Sequence, residues 1–392
     1  MAGGYAHTTP TILPYEKLVM NKTKDIRGAF PFPWVCASFF NSLAESLMNE
    51  VDAPAENEAD SVSVVGAGGG NVTESYGEII SIAKKFGMRK EDIPVLLSMG
   101  KQHLFVWEQR NGFLHENEAA QRLAALCQNK DIVMSQVSEG KIELFASRDG
   151  LFQVDVKRLN IVNSIDNLIV ATRHTNTAVR KGDKLAGVRV VPLVIEEKTI
   201  KQAERFIPKS TLLSLSPWKR KTCGLIITGS EVAQGLVRDA FAPALEEKLS
   251  GYGMRIAERC FPGDDQQAIA KAAVSYWKKG LDMVICTGGM SVDPDDKTPG
   301  AIQKTGASVV SYGAPVLPGA MFLLAYFDDG TPIVGLPGCT MYAKATVFDL
   351  VLPRLLCDEL VRKRDLAALG HGGLCLGCAT CSFPNCSFGK GG

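Results

Sequence analysis

The sequence predicts an α/β protein, in which a three-layer αβα domain with a mostly parallel sheet follows a β-rich domain. Between residues 218 and 357, short apolar runs alternate with segments of helical periodicity, the pattern of strands joined by crossover helices. Between residues 76 and 200, short strand-like runs are separated by turn signals at 138–140, 148–150 and 181–183. Such spacing is typical of a compact β-rich domain.

The composition indicates a globular chain with a substantial core. The 392 residues are 46% hydrophobic and carry a net charge of +1. This charge balance gives no reason to expect a nucleic-acid partner, and no apolar run approaches the roughly 20 residues that span a bilayer. The first residues lack a basic region followed by an apolar core, so we expect no secretory signal and a cytoplasmic location.

The elements of the N-terminal half follow from local patterns. Residues 1–75 form an uncertain segment without clear periodicity. Residues 90–100 predict a short helix ended by glycine, and residues 116–129 predict a second helix before the short strands. A polar helix over 196–204 and a turn at Ser214–Pro217 then indicate a linker to the next domain.

The C-terminal half contains six apolar runs that predict strands. They cover residues 222–228, 254–261, 283–286, 307–312, 321–327 and 331–336. Helical segments lie between most of them, and a final helix is predicted over 344–356. Because ligands bind outside the carboxyl ends of parallel strands, the loops at 228–231, 264–265, 288–298 and 335–338 should converge at one edge.

The loop after the third of these strands has the residues of an anion site. Gly288 and Gly289 lack a Cβ atom and let backbone N–H groups approach a phosphate closely. Ser291 adds a hydroxyl group, and Thr298 with Pro299 has the form of a helix N-cap followed by a first-turn proline. A tight turn without a ligand is the alternative for the two glycines alone.

Carboxylates in the same loop suggest a metal. Asp293, Asp295 and Asp296 offer the hard oxygen ligands that Mg²⁺ prefers. Solvated loop carboxylates are an equally good interpretation of Asp293 and Asp295. Asp264, after the second strand, is either a site residue or a helix N-cap, and it can be both.

Four motifs in this order resemble those of molybdopterin-binding domains. They are Ile227-Thr-Gly-Ser-Glu, Pro262-Gly-Asp-Asp, the run from Thr287 to Pro299, and Gly335-Leu-Pro-Gly. Such domains occur in molybdopterin adenylyltransferase and molybdopterin molybdenumtransferase, which activate molybdopterin and insert molybdenum into it. The resemblance covers residues 218–357 and extends more weakly into the preceding β-rich segment.

The resemblance implies roles for individual residues. Cofactor binding is implied for Gly229, Thr287, Gly288, Gly289, Ser291, Thr298, Pro337 and Gly338. Catalytic roles are implied for Asp264 and Asp296, and Mg²⁺ ligation for Asp295 and Asp296. The implied substrates are molybdopterin and molybdate. A homo-oligomer, with molybdoenzymes as acceptors of the product, is the implied assembly.

Three functions are compatible with this resemblance. The first is Mg²⁺-dependent insertion of molybdate into adenylylated molybdopterin. Adenylylation of molybdopterin with ATP is the second, and a non-catalytic carrier or sensor of the cofactor is the third. The chain reads Pro318-Gly-Ala-Met321 where the molybdenumtransferase usually has Pro-Gly-Lys-Pro, and this missing lysine favours the carrier. Cys339 likewise replaces the usual asparagine.

Residues 365–392 form a cysteine-rich tail. Cys375, Cys378, Cys381 and Cys386 are spaced as C-x₂-C-x₂-C-x₄-C. Thiolates this close are usual ligands of soft or borderline metals. An iron–sulfur cluster is the first expectation because of the consecutive C-x₂-C steps, and structural zinc is the second. A frayed tail with reactive thiols is the alternative.

Overall fold

A computed structural model describes residues 111–391, apart from 208–210, 237, 292, 294 and 295, and four short strands nearer the N-terminus. Those strands are β1 (Thr11–Pro14), β2 (Val62–Val65), β3 (Asn71–Glu74) and β4 (His103–Val106). Strand β1 pairs with β4 and β2 pairs with β3, both antiparallel. The helix predicted over 90–100 and most of the segment 1–75 lie outside the described residues.

The described part of the β-rich region contains antiparallel sheets and three helices. Its elements are β5 (Phe113–His115), α1 (Glu116–Ala125), β6 (Ile132–Met134), β7 (Lys141–Ala146), β8 (Gly150–Val154), α2 (Val156–Asn163), β9 (Leu168–Thr172), β10 (Thr177–Val179), β11 (Lys184–Val190), β12 (Val194–Glu196), α3 (Glu197–Phe206) and β13 (Leu213–Ser216). The strand orders are β6-β7-β11-β9, β10-β8-β13 and β12-β5.

Helix α1 ends four residues before its predicted end at Asn129. The Asn129 side chain accepts a hydrogen bond from the Asp131 N–H at 2.8 Å, which forms a local turn in place of another helical turn. The buried face of α1 includes Ala120 and Leu123, which belong to the core of this region. On its other side, Arg122 forms a salt bridge with Glu204 of α3.

The predicted turn at Ser214–Pro217 was wrong. Leu213–Ser216 is strand β13, which pairs antiparallel with β8. Leu213 and Leu215 are buried and alternate with half-buried serines, so period-two burial outweighed the turn signal of serine and proline. The helix α3 before it also buries Ile200 and Ala203 in the core, and is therefore more than a polar linker.

The C-terminal region contains a six-stranded sheet with helices on both faces. Its elements are β14 (Thr222–Ile227), α4 (Ser230–Ala233), α5 (Phe241–Ser250), β15 (Arg255–Cys260), α6 (Gln266–Lys278), β16 (Met283–Thr287), α7 (Thr298–Lys304), β17 (Ser308–Tyr312), β18 (Leu323–Tyr326), β19 (Pro332–Leu336), a 3₁₀ turn (Gly338–Met341), α8 (Val347–Leu356) and α9 (Lys363–Ala368). The strand order is β15-β14-β16-β19-β18-β17.

This sheet confirms the predicted fold class. Strands β15, β14, β16 and β19 pair in parallel, and β18 pairs antiparallel with both β19 and β17. Alternate residues of the strands separate two apolar cores. One contains Leu225 and Ile285 with residues of α5 and α8, and the other contains Ile226 and Val284 with residues of α6 and α7.

Strand β16, which leads into the predicted glycine loop, is covered on both faces of the sheet. All five residues of Met283–Thr287 are buried. Burial on both faces is what its continuous apolar run predicts for a central parallel strand. The domain limits stay a prediction. In the residues described here, no helix is long and apolar enough to cross a membrane.

Candidate functional site

The predicted loops meet at the edge where the parallel strands end. Strand β18 begins at this edge as well, because Leu323 pairs with Gly335 near the end of β19. The segment Pro318–Met321, which precedes β18, therefore lies on the same side as the glycine loop Gly288–Thr298. Antiparallel β18 thus adds a further loop to those expected from parallel strands alone.

Gly288 and Gly289 take backbone conformations that favour glycine. Their φ angles are +81° and +50°. A Cβ atom on Gly288 would lie 2.8 Å from both the carbonyl oxygen and the Oγ1 atom of Thr228. One on Gly289 would lie 3.1 Å from the Oγ1 atom of Thr298. A Cβ atom would collide with Thr228 at Gly288 and would crowd Thr298 at Gly289, and both glycines remain half-buried at the surface of the edge.

A cluster of threonine hydroxyls lies directly beneath the two glycines. Thr298 Oγ1 donates to the Gly288 carbonyl at 2.8 Å and lies 3.2 Å from Thr228 Oγ1. Thr228 Oγ1 donates to the Thr287 carbonyl at 3.0 Å. Thr287 and Thr298 are fully buried. In this arrangement they support the glycine loop from below, and their predicted contact with a ligand stays a prediction.

Two details differ from the sequence-based expectation for Thr298. It is the first residue of α7, and Lys297 occupies the N-cap position without a side-chain cap. The Thr298 hydroxyl is bonded to Gly288, so it is not available for capping. Sequence reasoning assigned no role to Thr228, although a polar residue directly after the buried strand β14 was a signal for one.

Asp264 connects two of the loops. Its carboxylate accepts hydrogen bonds from the Ser230 N–H at 2.8 Å and the Ser230 hydroxyl at 2.6 Å. Ser230 follows Gly229, whose φ of +117° marks the turn between β14 and α4. The N-cap of α6 is instead Asp265, which accepts from two backbone N–H groups. The capping alternative for Asp264 in α6 is therefore wrong, and Asp264 is exposed beside the first loop.

Asp296 closes the glycine loop from its far end. Its carboxylate accepts a hydrogen bond from the Ser291 N–H. The Tyr312 hydroxyl, from the end of β17, donates to the Ser291 carbonyl at 3.0 Å. Partial burial raises the pKa of Tyr312 above its usual range, and the negative charge of Asp296 makes a smaller contribution in the same direction. Sequence reasoning missed Tyr312, because nothing in its local pattern predicts contact with a loop twenty residues earlier.

The predicted metal ligands are described only in part. Asp295 lies outside the described residues, and Asp293 is exposed. Within the described ranges, no three His, Cys, Asp or Glu side chains are placed to hold a metal ion. Ligation by Asp295, Asp296 and the tail cysteines therefore stays a prediction.

The loop after β19 forms another part of the edge. Pro337 is half-buried and Gly338 is exposed, so both are accessible as predicted pocket residues. Burial raises the pKa of the neighbouring Cys339 thiol, which keeps that thiol protonated at neutral pH. Thr340 is buried, and its hydroxyl has no hydrogen-bond partner.

The cysteine tail is packed against the α/β core. Phe388 is only 3% exposed and contacts Phe383 edge to face, with ring centroids 6.1 Å apart. Cys375 and Cys386 are half-buried, whereas Cys378 and Cys381 are exposed. The alternative of a frayed tail is therefore wrong for the backbone, although two thiols face solvent.

A cleft of about 470 Å³ lies apart from this edge, where the β-rich region, α8 and the tail meet. Trp218 and Tyr252 line it, as do Phe383 and Phe388 of the tail. None of the residues predicted for the sheet-edge site lines this cleft. Because ligands of parallel sheets bind at the strand ends, we assign the candidate site to the edge and not to the cleft.

Comparison with known families agrees with the resemblance seen in the motifs. Residues 224–356, about a third of the chain, match the family model described as "Probable molybdopterin binding domain". This range contains all four loops and excludes the tail. The resemblance to molybdopterin-binding domains is thereby confirmed for this part of the chain.

Two relatives match parts of the chain. A molybdopterin molybdenumtransferase of Synechococcus elongatus is 25% identical over 178 residues, which are 41% of this chain and 44% of that protein. The 4-hydroxyphenylacetate decarboxylase glycyl radical subunit of Clostridium scatologenes is 82% identical over 101 residues, or 26% of this chain and 11% of that subunit. The chain therefore spans less than half of either relative.

One solved structure matches part of the chain. The molybdopterin biosynthesis enzyme MoaB of Thermus thermophilus is 22% identical, covers 34% of this chain and 91% of its own, and gives a TM-score of 0.29.

Proposed function

We propose that the chain, whose residues 224–356 match the molybdopterin-binding domain family, binds molybdopterin at the sheet edge and inserts molybdate into its adenylylated form. One observation carries the proposal. The glycine loop at the end of β16 is held by buried threonines, and its two glycines have positive φ angles with little room for a Cβ atom. A backbone held in this way can present N–H groups to an anion without reorganising.

The accessible residues of the edge have different roles in binding. Gly288, Gly289 and Ser291 contact the phosphate and pterin side of molybdopterin, since they line the exposed rim of the loop. Pro337 and Gly338 form the neighbouring floor, next to the position of molybdate. Asp264 holds the first loop against the second through its hydrogen bonds with Ser230, and Gly229 makes the turn that places Ser230 there.

Asp296 is the residue best placed to act in the transfer. One of its carboxylate oxygens is fixed by the Ser291 N–H, which orients the other oxygen without a further side chain. A fixed carboxylate in an exposed loop fits the hard-ligand chemistry of Mg²⁺, with Asp295 as second ligand. Magnesium would supply positive charge beside the adenylyl phosphate. The protein itself aligns the two reactants, which is a positional contribution to the rate.

The test is turnover with adenylylated molybdopterin and molybdate. Wild-type protein should release AMP, and Asp296→Ala should lose about 100-fold or more in rate while still binding molybdopterin. Asp328→Ala removes an exposed carboxylate after β18 and is the matched control, with activity unchanged. Equal rates for wild type and Asp296→Ala would exclude Asp296 from the reaction.

Two alternatives give other results in the same assay. An adenylyltransferase would consume ATP with molybdopterin and release no AMP from the adenylylated form. A carrier would bind molybdopterin tightly and turn over neither substrate. Ala320, at a position on the edge where the resemblance leads us to expect lysine, is the observation that favours a carrier.

The remaining parts of the proposal concern cofactors, partners and location. A zinc ion or an iron–sulfur cluster on Cys375, Cys378, Cys381 and Cys386 is the proposed metal centre of the tail. We also propose a homo-oligomer that delivers its product to molybdoenzymes in the cytoplasm. Gel filtration with light scattering, and transfer assays with an apo-molybdoenzyme, test these two points.

A further inference from the structure

The cleft beside the β-rich region is large enough for a small organic ligand. Its volume of about 470 Å³ lies within the range of about 300–1,000 Å³ that is usual for pockets holding drug-sized molecules. Its walls include residues 174–180, parts of helices α5 and α8, and tail residues between 383 and 391. None of the residues predicted for the sheet edge lines it, so it is a second cavity and not part of that site.

Aromatic rings from two parts of the chain line this cleft. Trp218 and Tyr252 meet edge to face, with ring centroids 5.2 Å apart and ring planes at 88°. In such a pair one ring directs only its edge at the other, so its own two faces are not covered by that partner. Phe383 of the tail is a third ring of the lining and is half-buried. Ring faces of this kind bind planar aromatic groups by stacking.

Two of the three carboxylates on the lining already form ion pairs. Asp349 forms a salt bridge with Lys248 at 2.8 Å, and Asp365 forms one with Arg354 at 3.3 Å. All four side chains are largely shielded from solvent. The third carboxylate, Asp149, accepts a backbone hydrogen bond at 2.8 Å. The two cations of these ion pairs are therefore occupied within the fold.

Two further cations of the lining, Arg180 and Lys390, have no such partner. Within the described residues, no carboxylate lies within salt-bridge distance of either side chain. Burial, followed by the charge of Asp349, raises the pKa of Tyr252 to about 12, and the positive charge of Arg180 opposes this rise. The Arg180 charge is thus felt at the aromatic part of the cleft. Two unpaired cations beside aromatic rings suit a phosphate group carried by a planar ring system.

Two neutral polar groups of the lining are also available to a ligand. In the part of the chain that is described, the Tyr252 hydroxyl makes no hydrogen bond, and its raised pKa keeps it protonated at neutral pH. The His174 Nδ1 atom lies 2.8 Å from the Thr175 carbonyl oxygen. Because a carbonyl oxygen only accepts, Nδ1 carries a proton, which leaves Nε2 to face a ligand. A hydroxyl group and a ring nitrogen suit the hydroxyl groups of a sugar.

We propose that this cleft binds a nucleoside monophosphate. The base stacks on the rings of Trp218 and Tyr252, and the phosphate binds Arg180 and Lys390. The ribose hydroxyls bond to the Tyr252 hydroxyl and to His174 Nε2. Binding is reversible, and no covalent bond forms or breaks. The nucleotide site does not rest on the proposed function, because its residues and those of the sheet edge do not overlap.

The first experiment titrates the full chain with AMP, GMP, CMP and UMP, followed by tryptophan fluorescence and calorimetry. Trp218 is one of four tryptophans, so a nucleotide stacked on it should change part of the emission. Trp218→Phe should lose this change. The free nucleoside and inorganic phosphate, tested separately, should each bind about tenfold or more weakly than the nucleotide, since each makes only part of the contacts. No response to any nucleotide at about 1 mM overturns the nucleotide site.

A double variant tests the phosphate contacts with the nucleotide that binds best. Arg180→Gln with Lys390→Gln should weaken nucleotide binding about tenfold and leave binding of the free nucleoside unchanged. Lys181→Gln is the matched control, because Lys181 is an exposed neighbour that does not line the cleft. The control should bind the nucleotide as wild type does, and melting temperatures should show that all variants fold. Equal nucleotide affinity of the double variant and wild type overturns the assignment.

A last comparison separates the cleft from the sheet edge. Gly288→Ala alters the glycine loop and, below its melting temperature, should bind the nucleotide with the affinity of wild type and give the same change in emission. Binding that is lost in the folded variant places the nucleotide at the edge and overturns the cleft site. If the cleft binds a nucleotide but the protein neither binds nor turns over molybdopterin, the proposed function fails and the nucleotide site stands.

Discussion

The glycine loop and the cysteine tail are two motifs of similar length that the fold treats differently. The glycine loop, Gly288–Thr298, follows a buried strand and is bonded from beneath by Thr228 and Thr298. The tail, Cys375–Cys386, is joined where Gly372 and Gly389 meet and where the Cys375 N–H bonds to the Leu317 carbonyl, and two of its thiols face solvent. The fold therefore gives the loop its shape, whereas it does not bring three of the tail's thiols together at one point.

The two motifs obtain their stability from different sources. Hydrogen bonds within the fully buried threonine cluster cannot be replaced by water, so the loop loses much if one is removed. The tail is held in place by the burial of the apolar Phe388 side chain and by a few backbone hydrogen bonds near the surface. In the tail, substitution of an anchoring residue and substitution of a cysteine should therefore have different effects. In the glycine loop, the residues that hold the backbone also shape the site, so one substitution should lower both stability and binding.

The largest expected effect comes from the tail anchor. Phe388→Ala should cost about 3 kcal/mol of tail docking, because it empties a fully buried aromatic site. The Leu317 and Cys375 amides should then exchange with solvent far faster, while the glycine loop keeps its protection. Phe206→Ala, on a phenylalanine that is 42% exposed, is the control. Unchanged exchange at Leu317 would show that Phe388 does not hold the tail.

A slightly smaller effect is expected from the glycine loop. Gly288→Ala should lower the free energy of unfolding by about 2 kcal/mol and abolish molybdopterin binding, since its Cβ meets Thr228 and its φ is positive. Metal content of the tail should stay as in wild type. Gly280→Ala is the matched control, because Gly280 has a φ of +77° and open space around it. Equal losses in the two variants would show that backbone strain, and not the contact with Thr228, explains the result.

Removing one buried hydroxyl should give an intermediate effect. Thr298→Val keeps the shape of the side chain and leaves the Gly288 carbonyl without its partner, at a cost of about 1–2 kcal/mol. Urea denaturation measures the loss, with Thr305→Val as a control on a partly buried threonine at the end of α7. A Thr298 variant as stable as wild type would argue against support from beneath.

The smallest effect concerns pH. The pKa of Tyr312 is raised in the folded protein, so its contribution to stability is complete below the unfolded pKa near 10 and is lost as pH rises through the folded value. Tyr312→Phe should cost less than about 1 kcal/mol at neutral pH and flatten the decline in stability above pH 10. Stability curves of the two proteins that run parallel above pH 10 would contradict this.

Much of the fold could be predicted because buried apolar residues recur along the sequence with the period of a strand or a helix. The continuous apolar run of Met283–Thr287 predicted a central strand, and the alternation of strands and helices predicted the layered sheet. At Leu213–Ser216, serine and proline suggested a turn, and the partner strand β8 decided otherwise. Pairing partners are distant in sequence, so local composition could not reveal them.

Residue types at short spacing were enough to predict the sheet, the carboxyl-edge loops, the glycines at 288 and 289, and the grouping of cysteines in the tail. Only the tertiary structure placed Thr298 beneath Gly288, turned Asp264 to Ser230, brought Tyr312 to Ser291 and joined Leu317 to the tail. The reason is physical. A glycine or cysteine motif is written in consecutive residues, whereas a buried hydroxyl bonds to whichever backbone atom the packed layers bring within reach.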